Sequence, residues 1–246
     1  MLDARMRQPP SFDFSPCWMA RVVLCAAALV GAAWALAAPI TAMLASSCVS
    51  WADEHTAAWT RAHTSPAAMT AFAVLTWLHS TAGILVLAAV LGGCMWNTRW
   101  RAMWPLLLAS VPGGLLLNVA VKQAVHRARP EWGYAYEPIA SYSFPSGHTA
   151  GATAFYGFVA LLLYPSLRSP LARFTLLVVS VAMVLLVACS RIALGVHFLS
   201  DCMAASCEAA LWLTVCWTGV RLPPIDGKPL WHRRAVSAVD GPEHSR

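Results

Sequence analysis

Charge is what this 246-residue sequence has least of: only 11% of its residues are charged, against about 25% in an ordinary soluble domain. Acid is scarcer than base, with 11 Asp and Glu against 17 Lys and Arg and a net charge of +6. So few charges cannot cover the surface of a soluble globule. An apolar content of 59% and a mean hydropathy of +0.59 exclude intrinsic disorder as well. The sequence also lacks any C-x-x-C pair and any Cys/His spacing typical of zinc. Most of its eight cysteines lie in apolar runs, where they read as small packing residues rather than a disulfide scaffold. No repeat with a period of 20–50 residues is present, which excludes a solenoid. What remains is an all-α membrane protein.

About 20 apolar helical residues cross a bilayer core. Six stretches fit: Val22–Ala45, Ala67–Gly93, Met103–Val121, Gly147–Tyr164, Leu171–Cys189 and Val196–Val220. The first exceeds the apolar region of a cleaved signal peptide and is read as a span. The third contains Pro112, Gly113 and Gly114, where a kink is expected. The fourth carries small residues four apart (Gly147/Gly151, Ala150/Ala154, Thr153/Gly157), a face that permits close helix packing.

An even number of spans puts both termini on one side. That side collects twelve of the 17 basic residues, among them Arg21, Arg99, Arg101, Arg168, Arg173 and Arg221. Arg61, Lys122, Arg127, Arg129 and Arg191 fall on the other. The twelve are expected to be cytoplasmic. Domain organisation follows: a cytoplasmic tail over 1–20, a six-span domain over 21–220 and a second cytoplasmic tail over 221–246. The positive excess is thus mainly an orientation signal and implies no nucleic-acid partner.

Charges at membrane depth are costly unless they have a task. Lys122 and Arg129 are seven residues apart, so a helix reaching Pro130 would bring both to one face. Two converging cations suggest an anion site. Pro145-Ser146-Gly147-His148 opens the fourth stretch with helix-start residues. A helix N-terminus offers free N–H groups and a positive dipole end to a phosphate. Ser190-Arg191 closes the fifth stretch, Gly195 permits a turn, and His197 and Asp201 stand four apart. Asp201 can then reach the imidazole and fix its tautomer, which sharpens the other ring nitrogen as a nucleophile. Three cations, a helix N-terminus, two histidines and one aspartate fit phosphoryl transfer through a phosphohistidine. Lys and Arg can neutralise the phosphoryl oxygens, so no metal and no other cofactor is called for.

In these residues the sequence resembles the type 2 phosphatidic acid phosphatase family. The family pattern K-x6-R-P, P-S-G-H and S-R-x5-H-x3-D is matched by Lys122, Arg129, Pro130, Pro145, Ser146, Gly147, His148, Ser190, Arg191, His197 and Asp201. The resemblance covers about residues 20–220. It implies an all-α, six-transmembrane-helix bundle in the cytoplasmic (inner) membrane, with the active site at the outer (periplasmic) face. It also implies a lipid phosphate or diphosphate phosphatase, with undecaprenyl diphosphate, phosphatidylglycerophosphate or phosphatidic acid as substrate. A phosphotransferase using the same site is the alternative, and a transporter or structural protein stands further off. Carried onto this sequence, His197 is the nucleophile, Asp201 orients it, and His148 is the general acid. Lys122, Arg129, Ser146, Gly147 and Arg191 hold phosphate. Oligomeric state is not implied.

Other polar residues fall outside the pattern. Glu208 shares the helical stripe of Asp201 and is expected below the site, bonded to a neighbouring helix. His79, mid-span in the second stretch, reads as a structural hydrogen bonder. Arg127 reads as a solvated or headgroup-facing charge. The loop from Pro130 to Pro145, with Trp132, Tyr134, Tyr136, Glu137, Tyr142 and Phe144, is expected to guide a lipid head. The region around Asp53, Glu54, His55, Arg61 and His63 gives no motif.

Overall fold

The computed structural model describes residues 16–131 and 141–219. Among them the regular structure is helical, with nine α-helices and two short 3-10 turns. The helices are α1 (Pro16–Ala35), α2 (Ala37–Leu44), α3 (Ser47–His63), α4 (Pro66–Leu78), α5 (Thr81–Trp96), α6 (Trp104–Val125), α7 (Gly147–Leu163), α8 (Pro170–Ala193) and α9 (Leu199–Gly219). Most of both expected tails, and Trp132, Tyr134, Tyr136 and Glu137 of the expected loop, lie outside the described residues.

Two of the six apolar stretches are broken. The first divides at Leu36 into α1 and α2. Pro39 explains the break, because its ring displaces the carbonyl one turn earlier and it has no N–H to donate. The second stretch divides into α4 and α5, bent by 59°. Ser80 stops one helix and starts the next, its hydroxyl accepting from Gly83 N at 3.1 Å. A β-carbon on Gly83 would collide with the Leu78 carbonyl, so only glycine allows the chain to fold back this tightly. The remaining stretches form single helices, although α6 and α8 run further than expected and α9 begins at Leu199 rather than Val196.

Four described helices are long and apolar enough to cross a membrane, or five segments if the bent pair counts as one. At 17 residues, α7 is shorter than these, but it is the packing centre. It lies against α6, α8 and α9, with Ala152, Ala154 and Phe158 almost wholly buried. Its small residues work as expected: Gly151 sits against Ile84 and Leu115, and Gly157 against Leu213. Helix α6 runs through Pro112 and meets α9 at the following glycines. The Trp212 indole lies on Gly113 and Gly114 and donates to the Ala109 carbonyl at 2.9 Å. On α8 the residues Leu171, Phe174, Val178, Val181 and Leu185 form one exposed apolar stripe. Such a stripe would be strongly unfavourable in water and is at home against lipid. Of the cysteines, Cys202 and Cys216 are buried packing residues, while Cys48, Cys94, Cys189 and Cys207 are exposed.

Gly151→Leu is expected to overpack the α5–α6–α7 contact and cost about 1–3 kcal/mol. Gly93→Leu, where an added β-carbon meets nothing within 4 Å, is expected to leave stability unchanged. Thermal unfolding in detergent compares the two; equal midpoints would show that the small-residue face is not a packing device.

Candidate active site

The C-termini of α6 and α8 and the N-termini of α7 and α9 meet at one end of the bundle, and all three sequence motifs sit there. Helix α6 does not continue to Pro130, the condition under which Lys122 and Arg129 would share a helix face. It ends at Val125, capped by His126 in a left-handed conformation with φ of 54°. Arg129 therefore returns to the site on a loop rather than on the helix face of Lys122. Its Nε donates to Ser141 O at 2.8 Å, its Nη1 to Val196 O at 2.8 Å, and its Nη2 to Ser141 Oγ at 3.0 Å. Lys122 is buried and donates to the carbonyls of Tyr142 and Pro145, both at 2.8 Å. An ammonium has three donors, so one remains beyond these two bonds.

Gly195 makes the turn between α8 and α9 with φ of 68°, a region that favours glycine. The turn is closed by Val196 N donating to Arg191 O at 3.1 Å, which sets His197 beside Arg191. Arg191 is 4% exposed and donates from Nη1 to Thr76 on α4 at 3.1 Å. Its buried Nε has no partner among the described residues. A buried guanidinium donor with no protein partner is suited to binding an anion.

His197 lies between the helices and is buried. Its Nδ1 faces Asp201 Oδ2 at 3.4 Å, and Arg129 Nη1 stands 3.3 Å from Nε2. The carboxylate favours a proton on Nδ1 and leaves the Nε2 lone pair towards Arg129. Burial pushes the His197 imidazole down to about 4, against the opposing pull of Asp201. The ring is therefore neutral at neutral pH. Burial also lowers the Arg129 guanidinium, again opposed by Asp201. His148 lies in the first turn of α7, within electrostatic reach of Arg191, His197, Arg129 and His79. Ser146 is buried at the start of α7, its N–H donating to Asp201 O at 3.2 Å. Gly147 leaves no more than contact distance to Asn118 Oδ1. Lys122, Arg129, Ser146, Gly147, His148, Arg191, His197 and Asp201 thus come together.

Three residues near the site carried no sequence signal of their role. Ser143 donates to Asp201 Oδ2 and lies 3.5 Å from His197 Nδ1. Arg127 is no solvated charge: its Nη1 meets Asp201 Oδ1 at 2.6 Å and its Nη2 meets Asp53 Oδ2 at 2.8 Å. Asp53, from the region that gave no motif, is 2% exposed. Glu208 accepts from Asn118 Nδ2 at 2.9 Å, the inter-helix bond expected of it. His79 is the expected hydrogen bonder: Nδ1 donates to Leu75 O and Nε2 faces the Tyr156 hydroxyl, both at 2.8 Å.

Residues 102–222 match the PAP2 superfamily, and every motif residue lies within them. Phosphatidylglycerophosphatase B of Bacillus subtilis (strain 168) is 34% identical over 131 residues, which is 52% of this chain and 63% of that protein. The chain thus spans less than two thirds of that relative's length. A solved structure, described as the crystal structure of the first transmembrane PAP2 type phosphatidylglycerolphosphate phosphatase from Bacillus subtilis, is similar at a TM-score of 0.64. Sequence identity there is 24%, over 80% of this chain and 98% of that one. The likeness establishes a PAP2-type fold.

Gly195→Ala is expected to cost about 1–2 kcal/mol, because an L residue is strained at this φ. Asn tolerates that conformation better, so Gly195→Asn is expected to lie between the two. Detergent thermal unfolding ranks them; Ala equal to Gly would show that the turn does not depend on the left-handed backbone.

Proposed function

We propose that this PAP2 superfamily chain is an integral-membrane lipid phosphate phosphatase that works through a phosphohistidine on His197. The observation that carries the reading is the placement of the His197 imidazole, held by Asp201 through one nitrogen and facing the Arg129 guanidinium with the other. Lys122, Arg129 and Arg191 surround the place where phosphoryl oxygens would lie, and none is paired with a carboxylate among the described residues. The Nε2 lone pair attacks phosphorus and the bond to the lipid oxygen breaks. His148 gives its proton to that leaving oxygen. Water then attacks the phosphorus, its proton passes to His148, and the N–P bond breaks to release inorganic phosphate. The cations and the N–H groups opening α7 take up the charge that develops on the phosphoryl oxygens.

Among substrates, the likeness to phosphatidylglycerophosphatase B favours phosphatidylglycerophosphate. Phosphatidic acid presents the same phosphomonoester, while in undecaprenyl diphosphate the terminal phosphoryl group would leave from a phosphate oxygen instead. For topology the reading is six spans: α1, the bent pair α4–α5, α6, α7, α8 and α9. The excess of basic residues flanking the opposite end puts both termini in the cytoplasm and the site at the outer face of the inner membrane.

His197→Ala is expected to insert and fold but to release no phosphate from phosphatidylglycerophosphate in detergent. The wild type should carry an acid-labile phosphoryl label on quenching. For the pH dependence the sign is fixed by the lowered His197 value: the neutral nucleophile persists down to about pH 4, and turnover is lost as the pH falls through it. Phosphate release by His197→Ala at the wild-type rate would overturn the covalent route.

A further inference from the structure

Asp53 lies on α3, outside the matched residues 102–222, and no step of the proposed reaction uses it. Its carboxylate is nonetheless built into the start of α9. Oδ1 accepts from Ser200 N at 2.9 Å, and Oδ2 accepts from Ser200 Oγ at 2.6 Å and from Arg127 Nη2 at 2.8 Å. Arg127 Nη1 donates to Ser200 Oγ at 2.7 Å and to Asp201 Oδ1 at 2.6 Å. The guanidinium lies 4.1 Å over the Phe198 ring, which holds it flat. Asp201 closes the same helix end by accepting from Phe198 N at 3.0 Å. One guanidinium is therefore shared by two buried carboxylates, one of which holds His197. Docking α3 against α9 would need only the Asp53–Ser200 bonds; it would not need Arg127 to span the gap to Asp201.

We propose that Asp53 and Arg127 are positioning residues for the His197–Asp201 pair. Asp53 anchors Arg127, and Arg127, divided between two carboxylates, sets how much of the Asp201 charge acts on the imidazole. This rests on the reading of His197 as the nucleophile. The two residues act in opposite senses. With Asp53 neutralised, Arg127 is held by Asp201 alone, the field of Asp201 at His197 weakens, and the imidazole becomes harder to protonate. With Arg127 neutralised, Asp201 is uncompensated and the imidazole becomes easier to protonate. The other groups facing His197 are Arg191 on α8, Arg129 and Ser143 on the α6–α7 loop, and His148 on α7. Lys122 on α6 adds its charge at Asp201. None of these changes in either variant, so the difference in sign isolates the Asp53–Arg127 pair.

The test uses the full chain in detergent with Asp53→Asn, Arg127→Gln and the double variant, each checked by thermal unfolding and assayed below its midpoint. The imidazole of His197 is titrated by 15N NMR, its signal identified by its loss in His197→Ala. Asp53→Asn is expected to move the titration down and Arg127→Gln to move it up, each by roughly half a pH unit or more. Asp53→Asn should add little once Arg127 is gone. In turnover of phosphatidylglycerophosphate, each single variant should lower kcat about tenfold with KM within about twofold, since a displaced nucleophile loses rate without losing binding. Shifts of the same sign, no shift, or a KM effect showing that Arg127 touches the lipid would overturn the proposal. A wild type that releases no phosphate would instead sink the catalytic reading, and the NMR titration would still decide the positioning claim.

Discussion

A buried carboxylate is tolerable only when its lone pairs are used, and the site end of this bundle is arranged around one such group. Asp201 is 0% exposed. Its side chain accepts from Arg127, Ser143, His197 and the backbone of Phe198. Its carbonyl oxygen accepts from Ser146 N. Those partners come from the α6–α7 loop, from the start of α7 and from the turn before α9. Satisfying one desolvated charge therefore brings the three motifs together. Asp53 joins through the same charge, since the guanidinium it holds also reaches Asp201. The position of the His197 imidazole is thus a consequence of neutralising its neighbour.

The fold was legible where apolar length decides it and hidden where single backbone bonds do. Single helices α6 to α9 follow from long apolar runs whose interruptions can be tolerated: Pro112 stays inside α6, beside glycines that accept the Trp212 indole. The breaks at Leu36 and His79–Ser80 lie within runs that composition reads as continuous. They are set by one proline, one capping serine and one glycine. A hydropathy window averages over such residues. The end of α6 has the same character, because His126 in a left-handed conformation stops the helix four residues before Pro130.

At the site, the motif residues were legible because their spacing within each segment is tied to chemistry. His197 and Asp201 are one helical turn apart, and Gly195 adopts the conformation that only glycine takes easily. Ser143, Arg127 and Asp53 were not legible. Asp53 sits in a polar helix with Glu54, His55, Arg61 and His63 around it, and nothing local separates a buried acid from exposed ones. Its distinction is a partner 74 residues away along the chain. Such pairings are created by tertiary packing, and a single sequence holds no trace of them.

The charges at this end explain why an anion is the complement. Arg127 is matched by Asp53 and Asp201. Lys122, Arg129 and Arg191 have no carboxylate within ion-pair distance among the described residues. Their donors rest instead on carbonyls, hydroxyls and the His197 ring, and Arg191 Nε has no partner among the described residues. Carbonyl dipoles offset a cation only partly in a low-dielectric setting, so three such cations side by side repel one another. Arg129 and Arg191 also lower the tendency of His197 to take up a proton. A phosphate monoester dianion entering among them would relieve that repulsion, complete the bonds of Arg191 and replace Arg129 at His197 Nε2. The charge arrangement at this end therefore favours an anion beside the neutral imidazole of His197.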